Sequence, residues 1–534
     1  MTVRKLDRRD FVKIGLTTGG GLALGISFAT KAGAEAGPLG GPLSGADVFQ
    51  PNAFLRLDPD GSLTIWCGKA DMGQGVRTSL PMIVADEMDA DWSRVETVQA
   101  DAHPEKYGRQ MTVGSSSVRR GGWTGLRVAG ASAREMLVAA GAAALGVPAS
   151  ELTTRSGRVI HEGSGRSMGY GELAVAASEM PVPESPRLKT AAEFTLIGTN
   201  VPLVDTEEKV TGRAVFGLDV RVPGMLFATV AKPQVLGGSL VSMDEAAARA
   251  VPGVRDVFAI SSGIAVVAEN TWAAFEGAKA LDCRWESEFS MSSPEISAHT
   301  AALCEGDAEV ALEVGDAPGA LAVATEPVTA TYEVPYLAHA TMEPMNCTAH
   351  VQEDRAEIWA PTQNPQGAQE TAARLTGLPV ERVTTHVTYM GCGWGRRSRP
   401  DFVIDAVETA MKLDVPVQVT WSREDDMRND QYRPASMIRF RGAVEGGRLH
   451  ALTARVAGPP LGVTDPRGRG GTGVDRNAVD GVVTMTYMIP NLLVDYARSE
   501  IQVPTGYWRS VGPSGNCFMV ESFIDELAYA AGRD

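Results

Sequence analysis

The residues with the most chemical potential are Gly391-Cys392-Gly393-Trp394-Gly395-Arg396-Arg397. Glycine has no Cβ, so Gly391, Gly393 and Gly395 let backbone N–H groups come close to a ligand, and two arginines beside them favour an anion. Binding of a phosphate-bearing cofactor is the chemistry this suggests. Taken alone, a tight turn whose glycines serve packing is the competing reading. Asp71-Met72-Gly73-Gln74-Gly75 is a second glycine turn. Val113-Gly114-Ser115-Ser116-Ser117-Val118-Arg119-Arg120 adds hydroxyls, N–H groups and two arginines, a set suited to phosphate. For Ser117 and Arg120 a solvated loop is the plainer account. His339, Glu343 and Gln363 are polar residues in apolar stretches, and a buried carboxylate needs a partner or a function. A core histidine satisfied by its neighbours is the plainer account of His339.

Each loop lies between elements that would position it. Residues 383–390 alternate with strand period, 401–411 repeat apolar residues at helical spacing, and 415–421 read as the next buried strand. The glycine run therefore joins a strand to a helix N-terminus. The same order is predicted over 63–88, with Pro81 in the first turn of the helix, and the serine loop opens a long small-residue helix over 124–145. Residues 225–285 carry a β-α-β-β-α-β pattern, 181–186 form a proline-rich linker, and 290–320 have the weak pattern of a connector. Glycine and arginine dominate a loop over 458–481, and an amphipathic helix over 519–531 closes the chain. Gly165-Arg166-Ser167-Met168-Gly169 has the spacing of a nucleophile elbow, but the polar residues before it argue for a turn.

At 534 residues, 44% hydrophobic and 21% charged, the chain is expected to form several globular domains. Its 49 basic and 65 acidic residues leave a net charge of -16, which opposes nucleic-acid binding. Cys67, Cys283, Cys304, Cys347, Cys392 and Cys517 show no Cys-x-x-Cys spacing, and the histidines show no His-Glu-x-x-His, so no iron–sulfur cluster and no side-chain metal ligands are expected. Arg8 and Arg9, the weakly apolar residues 14–29 and Ala32-Gly33-Ala34 read as a twin-arginine signal over residues 1–36. That signal predicts export of the folded protein to the periplasm. No other run is expected to approach membrane-spanning length.

Ala340-Thr341-Met342-Glu343-Pro344, Pro361-Thr362-Gln363-Asn364-Pro365, Gly391-Cys392-Gly393-Trp394-Gly395 and Trp421-Ser422-Arg423-Glu424-Asp425 follow one another within residues 336–457. With these motifs the chain, from about residue 49 onward, resembles the molybdenum hydroxylases, the xanthine dehydrogenase and aldehyde oxidase family. Within it the chain is most similar to molybdopterin-binding large subunits of the isoquinoline 1-oxidoreductase type. The resemblance implies a multidomain α+β fold, with a molybdopterin-binding lobe over 49–180, a hammerhead-like domain over 201–289, and a molybdopterin-binding and substrate lobe over 323–534. It implies molybdenum carried by molybdopterin cytosine dinucleotide, contacted by Gly73, Gln74, Gly75, Ser115, Ser116, Gly391, Gly393, Trp394 and Gly395. It also places Glu343 beside the active site and Gln363 near the metal centre. Arg509 falls in the family's arginine loop, although Trp508-Arg509-Ser510 stands where Phe-Arg-Gly is usual. The implied reaction hydroxylates an aldehyde or N-heteroaromatic carbon with oxygen from water and passes electrons to a [2Fe–2S] iron–sulfur subunit, with a cytochrome c acceptor beyond it. The family's Gly-x-Gly-Glu motif, whose glutamate is the general base, does not occur here. Two expectations follow: a separate polypeptide supplies that glutamate, or the chain is a truncated, inactive cofactor-binding scaffold.

Overall fold

The computed structural model describes residues 49–52, 54–119, 121–461 and 473–533. The export signal over 1–36, Arg120 and residues 462–472 of the glycine-rich loop lie outside the described residues. The chain divides into two compact units, one of Met1–Met225, Asn346–Cys392 and Ser398–Gln418, the other of Leu226–Met345, Gly393–Arg397 and Val419–Asp534.

In the first unit, the strand Leu63–Cys67 pairs antiparallel with Leu55–Leu57 and parallel with Val95–Gln99. A parallel pair needs a crossover, and the helix Val76–Met88 supplies it. Gly75, left-handed at φ 73°, starts that helix, which places Pro81 well inside it and not in its first turn as predicted. At the far end, the buried Asp86 carboxylate pairs with Lys189 Nζ at 3.0 Å and accepts the N–H groups of Leu196 and Ile197 at 2.9 and 2.7 Å. Burial alone would raise this carboxyl, but these bonds hold it below its ordinary value. The segment after the proline-rich linker is thereby stitched to the helix.

The helix Gly121–Leu145 packs on Val76–Met88 so closely that a Cβ on Gly130 would lie 2.4 Å from the Val84 carbonyl oxygen. Contrary to expectation, residues 122–145 are long and apolar enough to cross a membrane. Ala129, Ala133, Leu137 and Ala140 are nevertheless buried with Val84, Ala85 and Met88 in the unit's core, which explains their apolarity. The expected turn at 165–169 is the strand Arg166–Gly169 of a three-stranded antiparallel sheet, where the Ser167 hydroxyl accepts from Arg158 at 2.9 Å. A serine spent on a strand pair is no nucleophile elbow.

The same unit contains strands of a further sheet. Asn346–Val351 runs antiparallel to Ala356–Ala360, and Ala356–Ala360 runs parallel to Val383–Val387 through the crossover helix Pro365–Thr376. The helix Asp401–Ala410 buries Phe402, Val403, Ala406, Val407 and Ala410 and packs on Asn346–Val351. One detail departs from the predicted strand, glycine turn and helix: a 3₁₀ turn, Arg396–Ser398, separates the glycine run from the helix, whose N-cap is Pro400.

In the second unit, Leu226–Ala231, Gly263–Ala268 and Val254–Ile260 form an antiparallel sheet carrying the helices Glu245–Arg249 and Thr271–Ala280. Ser239–Ser242, absent from the predicted β-α-β-β-α-β order, pairs with Arg284–Glu286; its residues are all exposed, so it lacks a buried face to signal it. A five-stranded sheet follows, in the order Glu309–Val314, Asn491–Arg498, Arg448–Gly458, Ser436–Glu445, Val328–Val334. The helix Pro513–Ala530, longer at its start than the predicted 519–531, covers this sheet; Phe523 stacks on Phe440 at 4.8 Å. Residues 290–320 are no connector, for they form the helix Ser293–Leu303, the edge strand Glu309–Val314 and the start of the helix Ala317–Val323.

Gly130→Val should lower the thermal midpoint of unfolding sharply, by the equivalent of at least about 3 kcal/mol, because backbone and not a flexible side chain blocks the new Cβ. Gly146→Ala, which ends the same segment at φ 66° with nothing within 4 Å, should cost only its left-handed strain, about 1–2 kcal/mol. Equal losses in the two variants would contradict this packing.

Candidate cofactor and substrate site

In the first unit the predicted loops meet at a residue the sequence did not single out, Thr112. Its N–H donates to the Gln363 carbonyl at 2.8 Å, and Gln363 Nε2 donates to the Thr112 carbonyl at 3.1 Å. The Thr112 hydroxyl accepts the Ala70 N–H at 3.0 Å. Residues 70–75, 112–116 and 363 are thus drawn together, and Ala70 and Met72 also pack with Val387 and Met390, the residues before Gly391. Lys69 Nζ reaches the Met111 carbonyl at 3.2 Å; burial and the nearby Arg109 charge push this amine down to about 8. Within the glycine turn, Gln74 accepts the Met72 N–H at 2.7 Å and donates to the Ala70 carbonyl at 3.0 Å, and Asp71 accepts the Gly73 N–H at 3.0 Å.

The second unit gathers its loops on a carboxylate, Asp430. Arg396 Nε lies 2.9 Å from it, His339 Nδ1 3.1 Å and the Gln431 N–H 2.6 Å, and the His339 backbone N–H donates to it as well. Burial pushes this carboxyl up, but the His339 hydrogen bond and the Arg396 charge outweigh that and hold it below its ordinary value. Beside this network Arg397 Nη2 pairs with Glu343 Oε2 at 3.2 Å and donates to the Glu343 carbonyl at 2.7 Å. His339 Nε2 lies 3.0 Å from the Tyr507 carbonyl oxygen, at the start of the exposed Arg509 loop. Gly395, at φ 109°, backs the same carbonyl, where a Cβ would sit 1.5 Å from the Tyr507 oxygen.

Several expectations change in this light. Arg396 and Arg397 were to flank an anion, yet both are buried in ion pairs, because Asp430 and the loop carrying Glu343 fold against them. Gly395 uses its missing Cβ on Tyr507. Trp394 at φ 53° and Cys392 at φ 76° keep the left-handed turn between the glycines. Thr112 and Asp430 sit in loops of ordinary composition and bind partners far away in the chain, so neither carries a sequence signal. Gly73, Gln74, Gly114 and Ser115 form an exposed rim, in which a Cβ on Gly73 would meet nothing within 4 Å. Left-handed Gly114 and Ser115 lead into the helical turn Ser116–Arg119, a turn conformation of the kind that aims N–H groups at an anion. Open backbone, small side chains and donors together fit a phosphate-bearing cofactor.

Comparison with known proteins gives that cofactor its name. Two family models described as the molybdopterin cofactor-binding domain match, one over residues 14–221 and the other over 302–534. Across the whole chain there is 31% identity to the beta subunit of isoquinoline 1-oxidoreductase from Brevundimonas diminuta, 74% of which is covered. The chain belongs to the molybdenum hydroxylases. It is a molybdopterin-binding subunit of that oxidoreductase family. The membrane-bound aldehyde dehydrogenase of Gluconacetobacter polyoxogenes is 30% identical over 99% of this chain and 71% of its own length. That relative's name carries pyrroloquinoline quinone; the two domain models favour the pterin for this molybdenum hydroxylase. The aldehyde oxidoreductase of Desulfovibrio gigas shares the fold, with a TM-score of 0.52 at 18% identity over 68% of this chain and 45% of that one.

Asp430→Asn should destabilise the protein by roughly 3–5 kcal/mol at neutral pH, since it leaves Arg396 buried without its counter-charge. A depressed carboxyl contributes stability above its unfolded value of 3.8 and loses it as pH falls further, so the gap between variant and wild type should close below about pH 4. Urea unfolding at stepped pH reads both; a gap that stays constant through the acid range would contradict the assignment.

Proposed function

We propose that this chain carries molybdenum in molybdopterin cytosine dinucleotide as the cofactor-binding subunit of a complex that hydroxylates an aldehyde or N-heteroaromatic carbon with oxygen from water, a separate polypeptide supplying the general-base glutamate. What carries the reading is the pair of hydrogen bonds between Gln363 and Thr112, which gathers the glycine turn and the serine loop beside Gln363. The bound cofactor supplies the two-electron redox chemistry. In the first unit, Gly73, Gln74, Gly75, Ser115, Ser116 and Gly391 would hold it, and Gln363, its amide held by Thr112, would be the side chain offered to the metal centre. In the second unit, Gly393, Trp394 and Gly395 shape a wall, Glu343 pairs with Arg397 and orients its loop, and Arg509 offers a cation to charge that develops on the substrate. The names of the two relatives, an isoquinoline oxidoreductase and an aldehyde dehydrogenase, support the two substrate classes. Electrons leave to a [2Fe–2S] partner subunit and onward to a cytochrome c.

Dye reduction by the assembled complex, screened with aldehydes and N-heterocycles in ¹⁸O-labelled water, tests the reaction. Substrate-dependent reduction with labelled oxygen in the product is expected. Reduction that leaves the product unlabelled would refute hydroxylation.

Arg8 and Arg9 support export in the folded state by the twin-arginine route, which suits a protein that acquires its cofactor before crossing the membrane. Changing both to lysine keeps the charge but removes the paired guanidinium groups. Periplasmic protein should then fall to background in fractionated cells; undiminished export would remove this part of the reading.

A further inference from the structure

We propose that His339 is a positioning residue for Arg509, holding residues 505–511 through a ring that is hydrogen-bonded at both nitrogens. The ring is buried. Its Nδ1 lies 3.1 Å from each Asp430 oxygen and its Nε2 lies 3.0 Å from the Tyr507 carbonyl, two residues before Arg509. A carboxylate and a carbonyl only accept, so the ring makes both bonds only when each nitrogen carries a hydrogen. Trp508 adds a bond from Nε1 to the Ala338 carbonyl at 3.4 Å, and Gly395 closes the other side of the Tyr507 carbonyl.

The loop needs such a hold. Ser510 at φ 74° and Val511 at φ 61° are left-handed, a conformation costing about 1–2 kcal/mol for a residue with a Cβ and most unfavourable for a β-branched valine. At its base the Tyr432 N–H donates to the Pro504 carbonyl and the Gly506 N–H to the Tyr432 carbonyl, each at 2.9 Å. These bonds fix where the loop starts but not where Arg509 lies. Beyond them, His339 links the loop to the charged interior. The charge at the ring is Asp430 with its partner Arg396; Asp426, raised by burial and paired with Arg423 at 2.6 Å, and Arg397 lie beyond them. The Tyr432 hydroxyl donates away from the ring, to the Met427 and Arg428 carbonyls.

The role assigned to Arg509 rests on the proposed function, whereas the loop's protection does not. Hydrogen exchange of the peptide spanning 504–512, read on the cofactor-loaded full chain and corrected for intrinsic rates, separates the two. His339→Gln should lose roughly 10-fold or more of the loop's protection, a loss expected of a charge-assisted bond, while the helix Pro513–Ala530 keeps its protection. In the assembled complex the same variant should show a lower kcat/KM at unchanged molybdenum content. Should His339→Gln lose the protection of the helix Pro513–Ala530 as well, His339→Asn, whose shorter side chain cannot span Asp430 and the Tyr507 carbonyl, takes its place with the same expected loss. Equal protection in variant and wild type overturns the proposal. Lost protection with unchanged kcat/KM would overturn the role of Arg509 on which it rests.

Discussion

A buried carboxylate, Asp430, is the constraint on which the second unit's loops depend. Taking an aspartate and an arginine out of water costs several kcal/mol per ion, and their attraction offsets this only if hydrogen bonds satisfy the remaining atoms. Asp430 meets that condition with Arg396, with the backbone and ring of His339, and with the Gln431 N–H. Each partner belongs to a different part of the chain, so the network closes only when the 339, 396 and 430 segments are all in place. Through His339 and Gly395 it reaches the Tyr507 carbonyl, and so a solvent-exposed arginine loop is tied to a charge network with almost no access to water.

Neutral bonds do the corresponding work in the first unit. Thr112 holds Gln363 by two main-chain contacts and Ala70 by its hydroxyl, with no ion pair among them. Such a joint orders the glycine turn and the serine loop without placing a carboxylate on the rim where a phosphate would bind. The exposed Gly73, Gln74 and Ser115 keep open the face that a fixed negative charge would have repelled. Molybdopterin-binding domain models that cover both parts of the chain fit this division of labour.

What could be read from the sequence followed the strength of local signals. Segments with strong apolar patterns, such as the strand Gly263–Ala268, buried on both faces, and the helices Thr271–Ala280 and Asp401–Ala410, lie close to where those patterns put them. Residues 290–320 were misread because the edge strand Glu309–Val314 leaves Val310 and Val314 exposed, while the helix Ser293–Leu303 buries little beyond Thr300. Glycine loops were visible because left-handed turns demand particular residues; Gly73, Gly75 and Gly395 all have positive φ. The partners that hold those loops were not, because Thr112 and Gln363, or Arg396 and Asp430, are joined only by the fold. His339 was expected to be a core histidine satisfied by its neighbours, and the structure names them as Asp430 and the Tyr507 carbonyl.

The assignment as a molybdopterin-binding subunit meets its most direct test in the metal and nucleotide content of the purified protein. Produced in a host able to make the cofactor, the folded chain should contain about one molybdenum atom per polypeptide and release a cytosine nucleotide on acid hydrolysis. Folded protein from that host with neither molybdenum nor a pterin would contradict the account at its centre.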